Sequence, residues 1–391
     1  MSIVVLNINR LNHLLTLYGV TRGELLKRLN VKRKNPLKEA DVFNKEIKLS
    51  ILKKIDSVFH KGLSFYIDPK EPTQSKEESI FFRKDNFNAK LNLGAKQIVT
   101  KFEEEKIAFS TLAKLSDFKI KRNIPVFKIT DNPEVVASEI RKTLYAEFNI
   151  DKKEFLKNFI SKFADNNILV FEFVETHNKK EKANINGFYL TPNVIVLKRN
   201  QKSFSREIFT LAHELGHYLL NEEEIDDNVS EINVEYNKLN KIERWCNDFA
   251  YFFLAGQYSK VIEKLDAANS GNDYHHETIN EVSKHTHLST ISLYTRLLLS
   301  NKISPFNYKQ VTDEILVSIK DWEEREKERL ERERQKAIDE GRTPQASAPK
   351  PIISPLYLKT LQSALYNNLI NEADFCRKLN VKPEKVGKYL T

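Results

Sequence analysis

The spacing of apolar positions predicts a mostly helical chain with one short run of strands. Between Ile208 and Leu220, the residues Ile208, Phe209, Leu211, Ala212, Leu215, Leu219 and Leu220 recur at helical spacing and give one broad apolar face. Leu11, Leu14, Leu15 and Leu17 begin an earlier helix that ends near Tyr18 and Gly19, and Thr21 caps the next, Arg22 to Leu29. Ile47, Leu49, Leu52, Ile55, Val58 and Phe59 form the stripe of a helix expected from about Lys45 to His60. Ile98, Phe102, Ile107, Phe109, Leu112 and Leu115 mark another, from about Ala95 to Phe118. Pro133 opens a helix over Glu134 to Phe148, with Val135, Ala137, Ile140, Leu144 and Phe148 inward, and Lys153 to Asp165 forms the next. The pattern then changes. Ile168 to Val174, Ala183 to Leu190 and Val194 to Leu197 read as strands of a short antiparallel sheet, with a turn at Pro192 and Asn193. Ser203 or Ser205 caps the helix through Ile208 to Leu220.

Downstream, Leu288 to Leu299 is a helix, and Trp322 to Ile338 is nearly all Glu, Arg and Lys. Pairs such as Glu323/Lys327 and Glu328/Arg332 support a solvated helix, on which Trp322, Leu330 and Ala337 form a thin apolar line able to seat a partner. Gly341 to Pro351 reads as a flexible linker. Tyr357 to Asn368, Glu372 to Leu379 and Pro383 to Leu390 make a last helical module. A second linker begins at Pro69 and Pro72 with Thr73, Gln74 and Ser75, followed by Ser79 to Arg83. These breaks divide the chain at 1–70, 71–130, 131–310, 311–354 and 355–391.

Composition adds two constraints. The 391 residues are 40% hydrophobic and 30% charged, and no apolar run is long enough to span a membrane. The first ten residues lack a basic stretch and a small-residue cleavage site, and Cys246 and Cys376 make no disulfide framework, so a reduced, cytoplasmic protein is expected. The net charge of +9 is uneven: residues 1–70 hold fourteen Lys and Arg against six Asp and Glu. Such a basic domain fits a polyanion partner, with Arg22, Lys32, Arg33 and Lys34 as candidate phosphate contacts.

The candidate chemistry lies in His213-Glu214-Leu215-Gly216-His217. Histidines four residues apart leave a helix on one side, so both can reach one zinc ion. Glu214 is turned about 100° from His213, so it can flank the metal without ligating it and act as a general base toward water. Gly216 is expected to keep the space between the histidines open. A third ligand is needed. Cys246 is a soft donor, but it reads as buried packing. His275 with His276, and His285 with His287, read as loop or surface residues, and Glu222 to Asp227 as a solvated acidic loop.

The N-terminal pattern, Gly19-Val20-Thr21 followed by Glu24-Leu25 and later Gly62-Leu63-Ser64-Phe65, resembles the XRE-type helix-turn-helix. The segment in place of its DNA-reading helix, Lys32 to Lys38, contains Pro36, which breaks or shifts a helix there. Gly187 to Leu190, Val194 to Leu197 and Arg206 to His217 together resemble the ImmA/IrrE family of zinc metallopeptidases. That resemblance implies Glu243 as third zinc ligand, since Glu243 to Ala250 matches the family's glutamate-bearing helix. Glu243 and Asn247 also share a face, apart from Trp245, Phe249, Phe252 and Phe253. Cys246 and Asn221 depart from the family pattern.

The resulting fold class is α+β, mostly α. It has a five-helix, helix-turn-helix-like N-terminal domain, a zincin-like metallopeptidase core with a small antiparallel sheet, and a C-terminal helical module. The expected activity is a zinc-dependent endopeptidase, with metal on His213, His217 and Glu243 and Glu214 as catalytic base. An extended substrate would add to a sheet edge at Val194, Ile195, Val196 and Leu197. The resemblance implies a regulatory protein substrate, a repressor, in stress, mobile-element or phage-defence control. The competing expectation is a DNA-binding regulator or antitoxin with a non-proteolytic zinc fold. An intact Glu214 disfavours it, because a structural zinc site has no use for a base.

Overall fold

The computed structural model describes residues 2–72, 91–175, 181–199, 201, 203–224, 240–343 and 349–390. The expected linker at Thr73 to Ser75, the segment Ser79 to Arg83, the end of the acidic run from Ile225 to Asp227, and the middle of the 341–351 linker lie outside the described residues. The chain divides into two compact units, Met1–Glu105 with Lys180–Asn184, and Lys106–Lys179 with Ile185–Thr391.

In the first unit, five helices follow one another: α1 (Ile8–Tyr18), α2 (Arg22–Asn30), α3 (Glu39–Val42), α4 (Leu49–Phe59) and α5 (Leu63–Ile67). Asn7 caps α1, and Thr21 with Glu24 forms a reciprocal capping box on α2. Leu11, Leu14, Leu25, Leu52, Ile55 and Phe59 are the core these helices share. Two short strands, β1 (Ile3–Val5) and β2 (Glu46–Lys48), pair antiparallel, so the helix expected from Lys45 begins only at Leu49. Ile47 is buried as a strand residue opposite Val4, a role that helical spacing alone does not reveal. After Pro36, the chain re-enters helix for one turn only, at α3.

Helix α6 (Leu93–Leu115) contains the boundary between the units. The second unit then runs through α7 (Pro133–Leu144), α8 (Lys152–Asp165), β3 (Leu169–Phe173), β4 (Gly187–Leu190), β5 (Val194–Lys198), α9 (Phe204–Leu220) and α10 (Lys241–Ala255). Further on are α11 (Ser259–Lys264), α12 (His276–Thr286), α13 (Thr290–Leu299), α14 (Pro305–Asp339), α15 (Pro355–Tyr366) and α16 (Glu372–Leu379). No described helix is long and apolar enough to cross a membrane.

The sheet departs from expectation. Its order is β3–β5–β4, with β5 parallel to β3 and antiparallel to β4, so it is mixed and Val194 to Leu197 is its centre. All four residues are buried and both edges of their strand carry ladder bonds, which rules out strand addition there. In α7 the inward set is Val136, Ala137, Ile140 and Leu144, whereas Val135 is 64% exposed, because helical phase puts it about 155° from the centre of that face. His287 is also not a surface residue. It is 1% exposed and stacks on Phe148, with ring centroids 4.7 Å apart.

Helix α9 is buried on nearly every side from Ser205 to Leu220, and both ends are secured. Ser203 accepts a hydrogen bond from the Arg206 N–H, and Asn221 closes the helix in the left-handed conformation, its N–H donating to His217 and Tyr218 carbonyls. Asn221 is thus a helix cap, and its Oδ1 accepts from the Tyr189 hydroxyl at 3.0 Å. The Arg122 guanidinium adds a cation at the helix C-terminus. Nη2 donates to the Tyr218 carbonyl at 2.5 Å, and Cζ lies 3.8 Å from the Tyr218 ring centroid. Helix α14 packs through Tyr308, Val311 and Thr312, while Trp322 and Leu330 further along are exposed.

Arg122→Ala should therefore lower unfolding free energy by about 1.5–3 kcal/mol, because it removes a hydrogen bond from a charged group to a helix-terminal carbonyl. Urea denaturation measures this. A loss below about 0.5 kcal/mol, the range of an ordinary surface change, would show that water replaces the guanidinium without cost.

Candidate metal centre

Helix α9 presents His213 and His217 from successive turns, as the four-residue spacing requires. Helix α10 presents Glu243 from its first turn, where Asn240 caps the helix by accepting from the Glu243 N–H at 2.9 Å. The two helices pack at close range because Gly216 has no side chain. A Cβ on Gly216 would meet Cys246 Sγ at 3.0 Å and Cys246 Cα at 3.1 Å. Gly216 therefore serves the helix crossing, not the gap between the histidines. Its helical phase places it about 60–100° from either ring. On α10, Trp245 stacks on Phe249 and Phe249 on Phe253, each pair 5.5 Å between centroids, which fixes the rotation that aims Glu243 at α9.

The three side chains converge. His213 Nε2 and His217 Nε2 are 3.1 Å apart, and each lies 3.2 Å from one oxygen of Glu243. Zinc bonds of about 2.0–2.1 Å set neighbouring ligand atoms of a tetrahedron about 3.3 Å apart, so these separations fit one shared ion. The donor chemistry fits too. Two Nε2 atoms facing each other cannot both carry a proton, and among the described residues neither Glu243 oxygen accepts a hydrogen bond, although both lie within ion-pair distance. Burial alone would push the Glu243 carboxyl up, but His217 and His213 outweigh burial and hold it well below the usual carboxylate range. Burial lowers His217, and Glu243 more than reverses this, so His217 sits above its ordinary value. These are the only described His, Cys, Asp or Glu residues clustered closely enough to share a metal ion.

Around this cluster, Asn247 Oδ1 lies 3.0 Å from His213 Nδ1. That oxygen can only accept, so Nδ1 carries the proton and the Nε2 lone pair is free for a metal. Glu214 is buried beside the cluster and contributes to the upward push on His217. Cys246 is no ligand. Burial, then the nearby Glu243, Glu214 and Glu224, push its thiol well above the ordinary value, and it packs against Gly216.

Of the other candidates, Val194 to Leu197 form the central strand and are not gathered into the cluster. Arg22, Lys32, Arg33 and Lys34 belong to the first unit. There Arg22 pairs with Glu39 at 3.3 Å and covers the Phe43 ring, and Arg33 Nε donates to the Asn35 carbonyl. Lys32 takes a left-handed turn with φ 61°, and Lys34 is exposed. The sequence carries a signal for Asn247, which lies four residues after Glu243. It carries none for Gln201, which joins the end of β5 to α9 by accepting from the Thr210 hydroxyl at 3.1 Å and donating to the Lys198 carbonyl at 2.7 Å.

Asn247→Ala should weaken metal binding about 10–100-fold, since the imidazole loses the partner that fixes its tautomer and tilt. Competition with a chelator reads this directly. Unchanged affinity would mean that packing alone holds the ring.

Residues 165–297 match the family model described as the IrrE N-terminal-like domain, Peptidase_M78. The match takes in β3 to β5, both helices that supply the cluster, α11, α12 and most of α13. No curated protein and no solved structure matches the chain. The family match supports the ImmA/IrrE resemblance and a peptidase-like role for this part of the chain, which holds the three-residue cluster.

Proposed function

We propose that the protein is a zinc-dependent endopeptidase in which His213, His217 and Glu243 hold the metal. The observation that carries this is the convergence of three side chains, with contacts of 3.1–3.2 Å, within the peptidase-like region, with a glutamate next in sequence to the first ligand. When bound, zinc supplies Lewis acidity toward a scissile carbonyl. Glu214 takes the proton of the attacking water and returns it to the leaving amine nitrogen, which needs a carboxylate held in one place beside the cluster. Asn247 keeps His213 in the tautomer that leaves Nε2 free. The site lies among apolar side chains of α9 and α10, where charge interactions are stronger than in water. The family resemblance favours a regulatory protein, a repressor, as substrate, in stress, mobile-element or phage-defence control.

Glu214→Gln should keep the metal and lose cleavage by at least about 10²-fold, because the amide is nearly isosteric and accepts no proton. Mass spectrometry of zinc-loaded wild type and Glu214→Gln, each incubated with the proteins encoded beside it, gives both the substrate and the test. Equal product from the two forms would remove Glu214 from the mechanism. Absence of metal from wild type would remove the peptidase reading.

For the first unit we propose duplex DNA binding without base discrimination. The excess of Lys and Arg supports phosphate contact. The one-turn α3, which begins with Glu39 and includes Asp41, is too short and too acidic to read bases from the major groove. The full chain should bind its own promoter and a scrambled duplex alike, and affinity should fall steeply between two salt concentrations. Tight, sequence-selective binding in the same titration would put the regulator reading first.

A further inference from the structure

Strand β4 begins at Gly187, opposite Leu197 of the central strand, and faces helix α9. A Cβ at Gly187 would lie 2.8 Å from Thr210 Cγ2 and 3.0 Å from both Cγ and Oε1 of Glu214. The backbone at Gly187 is not in the left-handed region, so its conformation does not call for glycine. The missing side chain is required by the space that the Thr210 methyl and Glu214 occupy together. Thr210 cannot turn its methyl away cheaply, because its hydroxyl donates to Gln201 Oε1 at 3.1 Å. Gln201 in turn donates through Nε2 to the carbonyls of Asn186 at 3.2 Å and Lys198 at 2.7 Å. One amide therefore ties the residue before Gly187, the end of β5 and the Thr210 side chain together.

We propose that Gly187 is a positioning residue for Glu214: with the Thr210 methyl it forms a wall of fixed depth that sets where the Glu214 carboxylate stands relative to the metal ligands. This rests on the reading of Glu214 as the base beside a bound metal. The three atoms nearest to a methyl at 187 belong to Thr210 and Glu214 and none to His213, His217 or Glu243, so on this proposal the methyl displaces the carboxylate and leaves the ligands in place. The effect is on what the carboxylate can reach, and metal content does not change.

The test uses the full chain loaded with cobalt(II), whose visible spectrum reports ligands arriving at the metal, and acetohydroxamate as the probe. A hydroxamate chelates a metal and offers an O–H or N–H to a neighbouring carboxylate. Wild type, Gly187→Ala, Glu214→Gln and Gly187→Ala/Thr210→Ser are titrated and their cobalt content measured. Gly187→Ala should keep full cobalt and weaken acetohydroxamate about tenfold, close to Glu214→Gln, the loss expected for one hydrogen bond to a charged group. In the double variant the Thr210 methyl is gone and the carboxylate can return, so affinity should recover to within about threefold of wild type, a non-additivity expected of touching residues. Gly187→Ala with wild-type affinity, while Glu214→Gln is weakened, overturns the proposal and leaves the peptidase reading intact. Loss of cobalt or of the fold in Gly187→Ala, without rescue by Thr210→Ser, also overturns it, because the glycine is then a general packing requirement. Failure of wild type to take cobalt, or Glu214→Gln binding as wild type does, removes the peptidase reading itself and the proposal with it.

Discussion

The close crossing of α9 and α10 is the constraint on which the rest depends. Two side chains at i and i+4 need only one helix, but a third able to share an ion with them must come from elsewhere and arrive within about 3.3 Å of both. Gly216 permits that approach by bringing Cys246 backbone and side chain to contact distance. The aromatic ladder Trp245, Phe249 and Phe253 then fixes the rotation of α10, so that Glu243 and Asn247 face the histidines while the opposite face is buried in the core. Asn240 and Asn221 secure the ends nearest the ligands, one at the start of α10 and one at the end of α9. A bulkier residue at 216 would separate the helices and open the ligand set in the same movement.

Much of this was legible in the sequence because it is local. The spacing His213 to His217, the caps at Thr21 and Ser203, the opening of a helix at Pro133, and the helix Glu372 to Leu379 follow from neighbours in the chain. What was illegible depends on partners far away. The unbroken apolar run Val194 to Leu197 is the mark of a strand covered on both faces, and such strands are central more often than edge. Reading it as an edge ignored that. Glu46 to Lys48 follows a helical stripe in spacing, yet pairs with residues near the N-terminus, which no local window contains. His287 looked polar and superficial, but Phe148 and Phe155 enclose it. Gly187 could not be singled out either, since a glycine at the start of a strand has no feature to show that a carboxylate needs its space.

The convergence of these buried titratable groups has an energetic consequence. A carboxylate and two imidazoles, none more than 5% exposed, face one another at 3.1–3.2 Å without hydrogen bonds to the carboxylate among the described residues. Burying such groups costs free energy unless a charge of opposite sign repays it. Within the protein itself part of the repayment comes from the attraction between them, which displaces His217 upward and Glu243 downward. With a divalent cation the same three groups become deprotonated ligands, and binding energy is added to folding energy. The cluster thus favours a cation in the same geometry that leaves it poorly satisfied alone. Glu214 is placed differently. It extends toward β4, where Gly187 leaves it room, so the proposed base packs against the sheet while His213, His217 and Glu243 converge on one another.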